Sequence, residues 1–240
     1  MTTIENSITA VVLAGGKGTR LMPETDETPK ALMPVGGRPV VEILLKQMRR
    51  SGVNTIRMAV NHLAEKIESA LGDGSKLGLK ISYSYEEKPL STVGPLKLIN
   101  DLPEHFIVAN ADIITDLNFE KLFKQHQKSN SDLTIASYQR HSQADYGVLS
   151  VDESGQVVGF NEKPVFNFVV SMGIYVFSKT ILDFVPADTA YGFDTLMYEL
   201  LDKGAAINSY PFDGYWLDIG RHDDYARANN DVEKIKYLLE

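Results

Sequence analysis

The sequence predicts an α/β protein built on a largely parallel sheet, and three observations carry that reading. Short β-branched runs alternate with runs of helical period through the first 140 residues. The first such run ends in a glycine-rich turn. Two aspartates, Asp112 and Asp218, stand just beyond other apolar runs, where open α/β sheets bind ligands.

Each element follows from its pattern. TAVVLA (Thr9–Ala14) reads as a buried strand. After Pro39, Val40, Leu44 and Met48 recur every four residues with Val41 and Leu45 beside them, an amphipathic helix that Gly52 stops. Thr55–Val60 is the next strand; Leu63, Ile67 and Leu71 share a helical face before the turn GDGS. Lys80–Tyr85 alternates as a strand, residues 93–99 form a short helix, and His105–Asn110 is a buried strand. Phe119–Lys128 is helical and Leu133–Tyr138 extended. Such alternation implies parallel β-α-β units with right-handed crossovers.

Past Arg140 the rhythm changes. Tyr146–Val151, the turn DESG and Gln156–Pro164 form a hairpin, and Phe168–Phe177 is a further strand. Helical stretches follow at Ile181–Val185 and Phe193–Lys203, then the strand Ile207–Phe212, the segment Tyr215–Gly220 and a helix from His222. No Pro/Ser-rich linker or repeat divides the chain. The expectation is one domain over residues 1–240: a lobe over about 1–140, a smaller lobe over about 141–220, and a C-terminal helix over about 221–240.

Composition narrows the function. With 24 basic and 32 acidic residues the net charge is −8, which argues against non-specific nucleic-acid binding. A polyanionic ligand must then be held by a few aimed donors or by metal ions. The absence of cysteine excludes disulfides and thiolate metal sites and fits a reducing compartment. MTTIENSI lacks the basic region of a signal peptide, and no apolar run reaches the ~18 residues of a membrane span. A cytoplasmic protein without a membrane partner is expected.

The first strand runs into Gly15-Gly16-Lys17-Gly18, where main-chain N–H groups can approach phosphate oxygens. Leu21 stands where a dinucleotide loop needs its third glycine, and Pro23 where its helix should start. The P-loop spacing is absent as well. GGKG alone is also compatible with a plain surface turn. Arg20 and the Pro29–Lys30 pair add a planar fork and a compact charge, both suited to phosphate.

LAGGKGTRLMPETDETPKALMPVGGRPVVE resembles the signature GGxGTRLxPxTxxxPKxxxPVxxxP of the sugar-1-phosphate nucleotidylyltransferases, of mannose-1-phosphate guanylyltransferase type. Further matches run in order almost to the C-terminus. The resemblance implies a Rossmann-like three-layer α/β/α fold with a mostly parallel central sheet and a smaller sugar-binding lobe. It also implies synthesis of an NDP-sugar and pyrophosphate from an NTP and a sugar 1-phosphate.

Singly, Asp112 could make a turn and Asp218 could cap a helix. As a pair they supply the two hard carboxylates that Mg2+ on a nucleoside triphosphate needs, and similar enzymes carry this pair. The resemblance assigns catalytic roles to Arg20, Lys30 and Lys163. It places Leu13, Ala14, Gly15, Gly16, Gly18, Thr19, Asn61, Pro89, Thr92 and Gly94 around the nucleotide, and Asn110, Tyr146, Gly147, Glu162, Lys163 and Gly173 around the sugar phosphate. A solvated Glu-Lys pair, a turn and a strand glycine are the plainer readings of the last group. Trp216 reads as a core residue, and the five histidines have no metal-protease spacing.

Four positions depart from the family pattern: Ala111 replaces a glycine, and Ser91, Val93 and Pro95 replace Gly, Ala and Ala beside the base. GTP is preferred narrowly, with CTP and UTP open. A transferase for another phosphorylated small molecule, a non-catalytic nucleotide or sugar sensor and, more distantly, an NAD oxidoreductase are the competing readings. Relatives are commonly dimers or tetramers, so a homodimer is among the expected states.

Overall fold

A computed structural model describes residues 7–240; Met1–Asn6, which carry most of the signal-peptide expectation, lie outside the described residues. The first strand, β1 (Ile8–Leu13), alternates Ala10 and Val12 toward one face of the sheet with Val11 toward the other. Helix α1 (Val40–Arg50) buries Val41, Leu44, Leu45 and Met48 against the first face. It ends at Ser51, and Gly52 follows at φ +82°, a left-handed turn that glycine adopts without steric cost.

Strand β2 (Val53–Val60), helix α2 (Ala64–Leu71), strand β3 (Lys80–Tyr85), strand β4 (His105–Asn110), short strand β5 (Ile113–Thr115) and helix α3 (Phe119–Ser129) follow. The second half comprises β6 (Leu133–Gln143), β7 (Val148–Val151), β8 (Val157–Asn161), β9 (Val165–Ser178), α4 (Phe193–Asp202), β10 (Ile207–Phe212) and β11 (Trp216–Asp218). Helices α5 (His222–Asn230) and α6 (Lys236–Leu239) close the chain.

Seven strands form the main sheet in the order β10-β6-β9-β4-β1-β2-β3, all parallel except β9. Helices α1, α2 and α3 pack on one face. Helix α4 and the 3-10 turns Gly94–Leu98 and Lys179–Phe184 cover the other, so the architecture is the Rossmann-like α/β/α sandwich. From β1 the chain builds outward through β2 to β3, then returns to place β4 on the opposite side of β1. The crevice between the carboxyl ends of β1 and β4 is therefore the switch point at which such sheets bind ligands.

Three expectations need correction. The helix read over about 221–240 is two helices, α5 and α6. The Asn229-Asn230-Asp231 stretch is poor helix former, and Asp231 accepts from the Tyr215 hydroxyl at 3.1 Å instead. The break lets Ile235, Leu238 and Leu239 join Val35, Ile43 and Leu217 in a third apolar cluster. The helical stretches read over 93–99 and 181–185 are short 3-10 helices at Gly94–Leu98 and Lys179–Phe184. The projecting part of the second lobe is also smaller than residues 141–220, because Ile174–Ser178, α4 and β10 belong to the main sheet and its cover. What projects is the outer half of the β6/β9 pair and the separate β7/β8 hairpin.

A histidine pair locks the opposite end of the sheet. His126 on α3 is fully buried; its Nδ1 lies 2.9 Å from Thr134 Oγ1 and its Nε2 3.2 Å from His105 Nδ1. Burial first, and then the neighbouring His105, lowers its pKa from 6.5 to about 4. The unfolded chain therefore takes up a proton that the folded chain refuses. Stability from this site is complete above about pH 6.5 and is lost as pH falls toward about 4. Urea unfolding at pH 7.5 and 5 should show a loss of about 2 kcal/mol from this site. A smaller drop is expected in His126→Gln; an identical drop would remove this histidine from the account.

Candidate active site

β1 delivers its glycine loop to one wall of the crevice and β4 delivers Asn110, Ala111 and Asp112 to the other. The Ala111 N–H donates to Leu13 O at 3.1 Å and ties the two together. Asp218 arrives from much farther along the chain. β11 pairs antiparallel with β5 in a register that sets Asp218 opposite Ile113, beside Asp112. The Ile219 N–H donates to Asp112 O at 3.1 Å and closes the arrangement.

Lys30 Nζ pairs with Asp112 Oδ2 and stands 3.9 Å from Asp218 Oδ1. Gly220 lets these groups converge: a Cβ there would lie 2.9 Å from Asp218 Oδ1, 3.5 Å from Arg20 Nη2 and 3.7 Å from Lys30 Nζ. Any side chain larger than hydrogen would meet two cations and a carboxylate. Burial, and next the charge of Asp112, pushes the Asp218 carboxyl up to about 6 against the pull of Lys30 and Arg20.

Asp112 Oδ1 and Asp218 Oδ1 are buried and have no hydrogen-bond partner. Two orphaned carboxylate oxygens fit a hard divalent cation such as Mg2+. Among the described residues no cluster of three or more His, Asp or Glu could hold a metal. The protein's share of such a site is thus two carboxylates, and substrate phosphates and water would complete it.

Between these charges and the glycine loop lies a cavity of about 460 Å3. Leu13, Ala14, Gly15, Gly16, Gly18, Thr19, Arg20, Lys30, Asn61, Pro89, Thr92, Asn110 and Asp112 line it. Gly18 has φ +66°, and its carbonyl accepts from Thr25 Oγ1 at 2.9 Å. A Cβ on Gly16 would meet nothing within 4 Å, so the loop's main chain is open to a ligand.

Gly94 does not reach this cavity. Its N–H donates to Tyr191 O at 3.1 Å, and a Cβ would collide with Thr189 O at 2.8 Å. Its role is to pack the 3-10 turn against the chain entering α4. Val93 likewise turns into the apolar core, while Ser91 and Pro95 line the cavity. Ser91 adopts φ +66°, the conformation its family glycine would take without strain. Ala111 lies among core residues, and its backbone is not left-handed, so its methyl group brings no backbone strain.

The sugar-side residues are split. Gly173, at φ +72°, lies against Asn110, whose Nδ2 would be 2.7 Å from a Cβ there. Tyr146, Gly147, Glu162 and Lys163 sit on the projecting lobe and do not line the cavity. Glu162 Oε2 and the Phe160 ring close over Gly147, at 3.1 and 2.4 Å from a Cβ there. Trp216 is a core residue, its indole N–H donating to Met172 O at 3.0 Å.

Sequence reasoning missed Lys17 as a cavity residue, and also Glu86 and Gly220. Glu86 Oε2 accepts from the Leu90 N–H at 3.0 Å, and its other oxygen would be 2.5 Å from a Cβ on Gly15. Burial raises its pKa, opposed by the Leu90 hydrogen bond. Its carbonyl accepts from Asn61 Nδ2 at 2.8 Å, so loop, Asn61 and carboxylate form one wall. No helix among the described residues is long and apolar enough to cross a membrane.

Known proteins resemble this chain in sequence and in fold. The family profile described as Nucleotidyl transferase matches residues 9–235. A UTP–glucose-1-phosphate uridylyltransferase of Synechocystis sp. is 34% identical over 239 residues, covering 91% of this chain and 62% of the relative. A mannose-1-phosphate guanylyltransferase catalytic subunit beta of Drosophila pseudoobscura pseudoobscura is 32% identical over 232 residues, covering 93% and 62%. The chain thus spans about three-fifths of the length of these curated relatives. The crystal structure of HddC from Yersinia pseudotuberculosis complexed with GMP-PN superposes with a TM-score of 0.73 at 26% identity, over 93% of this chain and 99% of that one. The chain belongs to the nucleotidyl transferase family.

Proposed function

We propose that this chain transfers a nucleotidyl group from a nucleoside triphosphate to a sugar 1-phosphate, with release of pyrophosphate and with GTP as the preferred donor. The observation that carries the reading is the meeting of two orphaned carboxylate oxygens with Arg20 and Lys30 beside the cavity that the glycine loop lines. A sensor that only bound nucleotide would have no need to hold two carboxylates together where burial and their mutual repulsion raise the pKa of Asp218.

An oxygen of the sugar phosphate attacks the α-phosphorus; the new P–O bond forms as the bond from the α-phosphorus to the bridging oxygen breaks. Pyrophosphate carries away the electron pair. The nucleophile is an anion at neutral pH, so no general base is required. The work of the protein is to align two repelling anions and to neutralise the charge growing on the leaving group. The glycine loop presents its main chain to the triphosphate, Arg20 meets the growing negative charge, and Lys30 holds phosphate charge near the carboxylates. In this reading Lys163 grips the sugar's phosphate and Glu162 accepts from sugar hydroxyls, from the lobe side. Mg2+ bound by Asp112 and Asp218 would lend charge neutralisation to the triphosphate.

The relatives' names divide between uridylyl and guanylyl transfer, so the choice of base rests on the cavity. Guanine alone among the common bases places two adjacent donors, N1–H and N2–H, on one edge, which a carboxylate accepts together. Glu86 offers such a carboxylate beside Gly15. Uracil would set its two carbonyl oxygens beside the same charge.

Pyrophosphate release with GTP, UTP, CTP, ATP and dTTP, each against a panel of sugar 1-phosphates, tests both levels of the proposal. Release with some pair is expected, fastest with GTP. Glu86→Gln should lower kcat/KM for GTP by roughly 10- to 100-fold while changing UTP little. No release with any pair would reject the transferase. An unaltered GTP preference in the variant would reject the role of Glu86.

A further inference from the structure

We propose that Asp116 is a positioning residue for the cation site: it holds the β5–β11 register that brings Asp112 and Asp218 together, and Tyr237 on α6 holds Asp116 in turn. The proposal rests on the cation reading of those two carboxylates. β5 and β11 form a two-stranded sheet of their own, with Ile113 opposite Asp218, Ile114 opposite Leu217 and Thr115 opposite Trp216. A ribbon that short is not stable by itself. Its side chains do not settle the register either. Ile113 and Trp216 belong to the core cluster under α1 and α3, whereas Ile114, Leu217 and Ile219 pack with Leu238 and Leu239 of α6. Apolar groups thus stand on both faces. A slip of one residue would exchange one for another while carrying Asp218 away from Asp112.

Polar contacts at the ends of the ribbon choose between such registers. At the site end the Ile219 N–H donates to Asp112 O. At the far end the Asp116 N–H donates to Tyr215 O at 3.2 Å, and Asp116 Oδ1 accepts from the Tyr215 N–H at 2.7 Å. Asp116 Oδ2 accepts from the Tyr237 hydroxyl at 2.8 Å. Both oxygens are therefore engaged, by residues 99 and 121 positions farther along the chain. A Cβ on Gly214 would lie 2.5 Å from Asp116 Oδ1, so the chain entering β11 needs glycine there to admit the carboxylate.

Tyr237 is itself fixed. Its carbonyl accepts from Arg50 Nη1 at 3.0 Å, which ties α6 to the end of α1. Burial, and next the hydrogen bond to Asp116, pushes its phenol up to about 12, so it remains a donor throughout the neutral range. Asp116 does not line the cavity, so its effect on the reaction passes through the ribbon to Asp112 and Asp218. Groups that orient metal ligands in this way commonly change metal affinity by roughly 10- to 100-fold when removed.

Mn2+ affinity, read by electron paramagnetic resonance with a non-hydrolysable GTP analogue, tests this together with binding of the same analogue in EDTA. Asp116→Ala should weaken Mn2+ binding by roughly tenfold or more, and Tyr237→Phe by roughly threefold. Asp116→Asn keeps an acceptor for the Tyr215 N–H and a partner for the Tyr237 hydroxyl, so it should stay within about twofold of the wild type. Analogue binding in EDTA should be unchanged in all three, a split that a general loss of structure would not produce. In the metal-free proteins, amide exchange should quicken at residues 113–115 and 216–218 of Tyr237→Phe and stay unchanged in β1 and β4. Wild-type Mn2+ affinity in Tyr237→Phe and in a folded Asp116→Ala would overturn the proposal; should Asp116→Ala not fold, Tyr237→Phe decides. Equal losses of Mn2+ and of metal-free analogue binding would also overturn it. Mn2+ binding that survives the Asp112→Asn/Asp218→Asn double variant would instead sink the cation reading, and this proposal with it.

Discussion

Asp112→Asn and Asp218→Asn will each lower turnover by roughly a thousandfold or more, about 4 kcal/mol of transition-state stabilisation, while leaving the fold intact. The two carboxylates are partly buried, adjacent and each left with an unpartnered oxygen. That is a costly arrangement for the folded chain alone. The raised pKa of Asp218 records the cost: burial and the charge of Asp112 both work against its ionised form. Removing one charge relieves this repulsion, so Asp218→Asn should melt at the same temperature as the wild type or slightly higher. Asp112→Asn also removes the ion-pair partner of Lys30, which Asp218 at 3.9 Å replaces in part. Thermal unfolding beside pyrophosphate release separates the two effects. Full turnover in either variant would remove that aspartate from the reaction.

Arg20→Ala will lower kcat by roughly 100- to 1,000-fold, with KM for both substrates changed by far less. The guanidinium stands at Gly220 beside Asp218 and Lys30, where the proposed reaction would build negative charge as pyrophosphate departs. An interaction that strengthens only at the transition state appears in kcat, whereas one equally strong in the ground state appears in KM. Arg20→Lys should recover part of the rate, since the charge remains but the planar fork is lost. A defect confined to KM would make Arg20 a binding residue only.

The central strands were legible because they are buried on both faces. Val11 and Val12 in β1, and Ile107 and Val108 in β4, give continuous apolar runs with few other readings. β6 and β9 were read too short because their outer halves leave the core. Gln139–Gln143 carries no apolar period, and its strand geometry comes from pairing with β9. The C-terminal break was hidden because Ala228, Ile235 and Leu239 keep a helical spacing across it.

The glycine loop could be named because it follows a buried strand and brings Arg20 and Lys30 with it, and both aspartates because they stand at strand ends in motifs that resemble those of the family. How they meet could not be read: the β5–β11 register joins residues 112 and 218 by backbone pairing alone. Glu86 escaped notice because Glu86-Glu87-Lys88 reads as a solvated charge run. Only its approach to Gly15 distinguishes it from its neighbours. Gly94 was assigned to the nucleotide by its place in the motif, but its contacts are with Thr189 and Tyr191.

The most direct measurement is Mn2+ binding, followed by electron paramagnetic resonance, in the presence of a non-hydrolysable GTP analogue. Tight binding by the wild-type chain and its loss in the Asp112→Asn/Asp218→Asn double variant are the expected results. Equal Mn2+ affinity in the two proteins would contradict the claim that these carboxylates hold the cation beside the glycine loop.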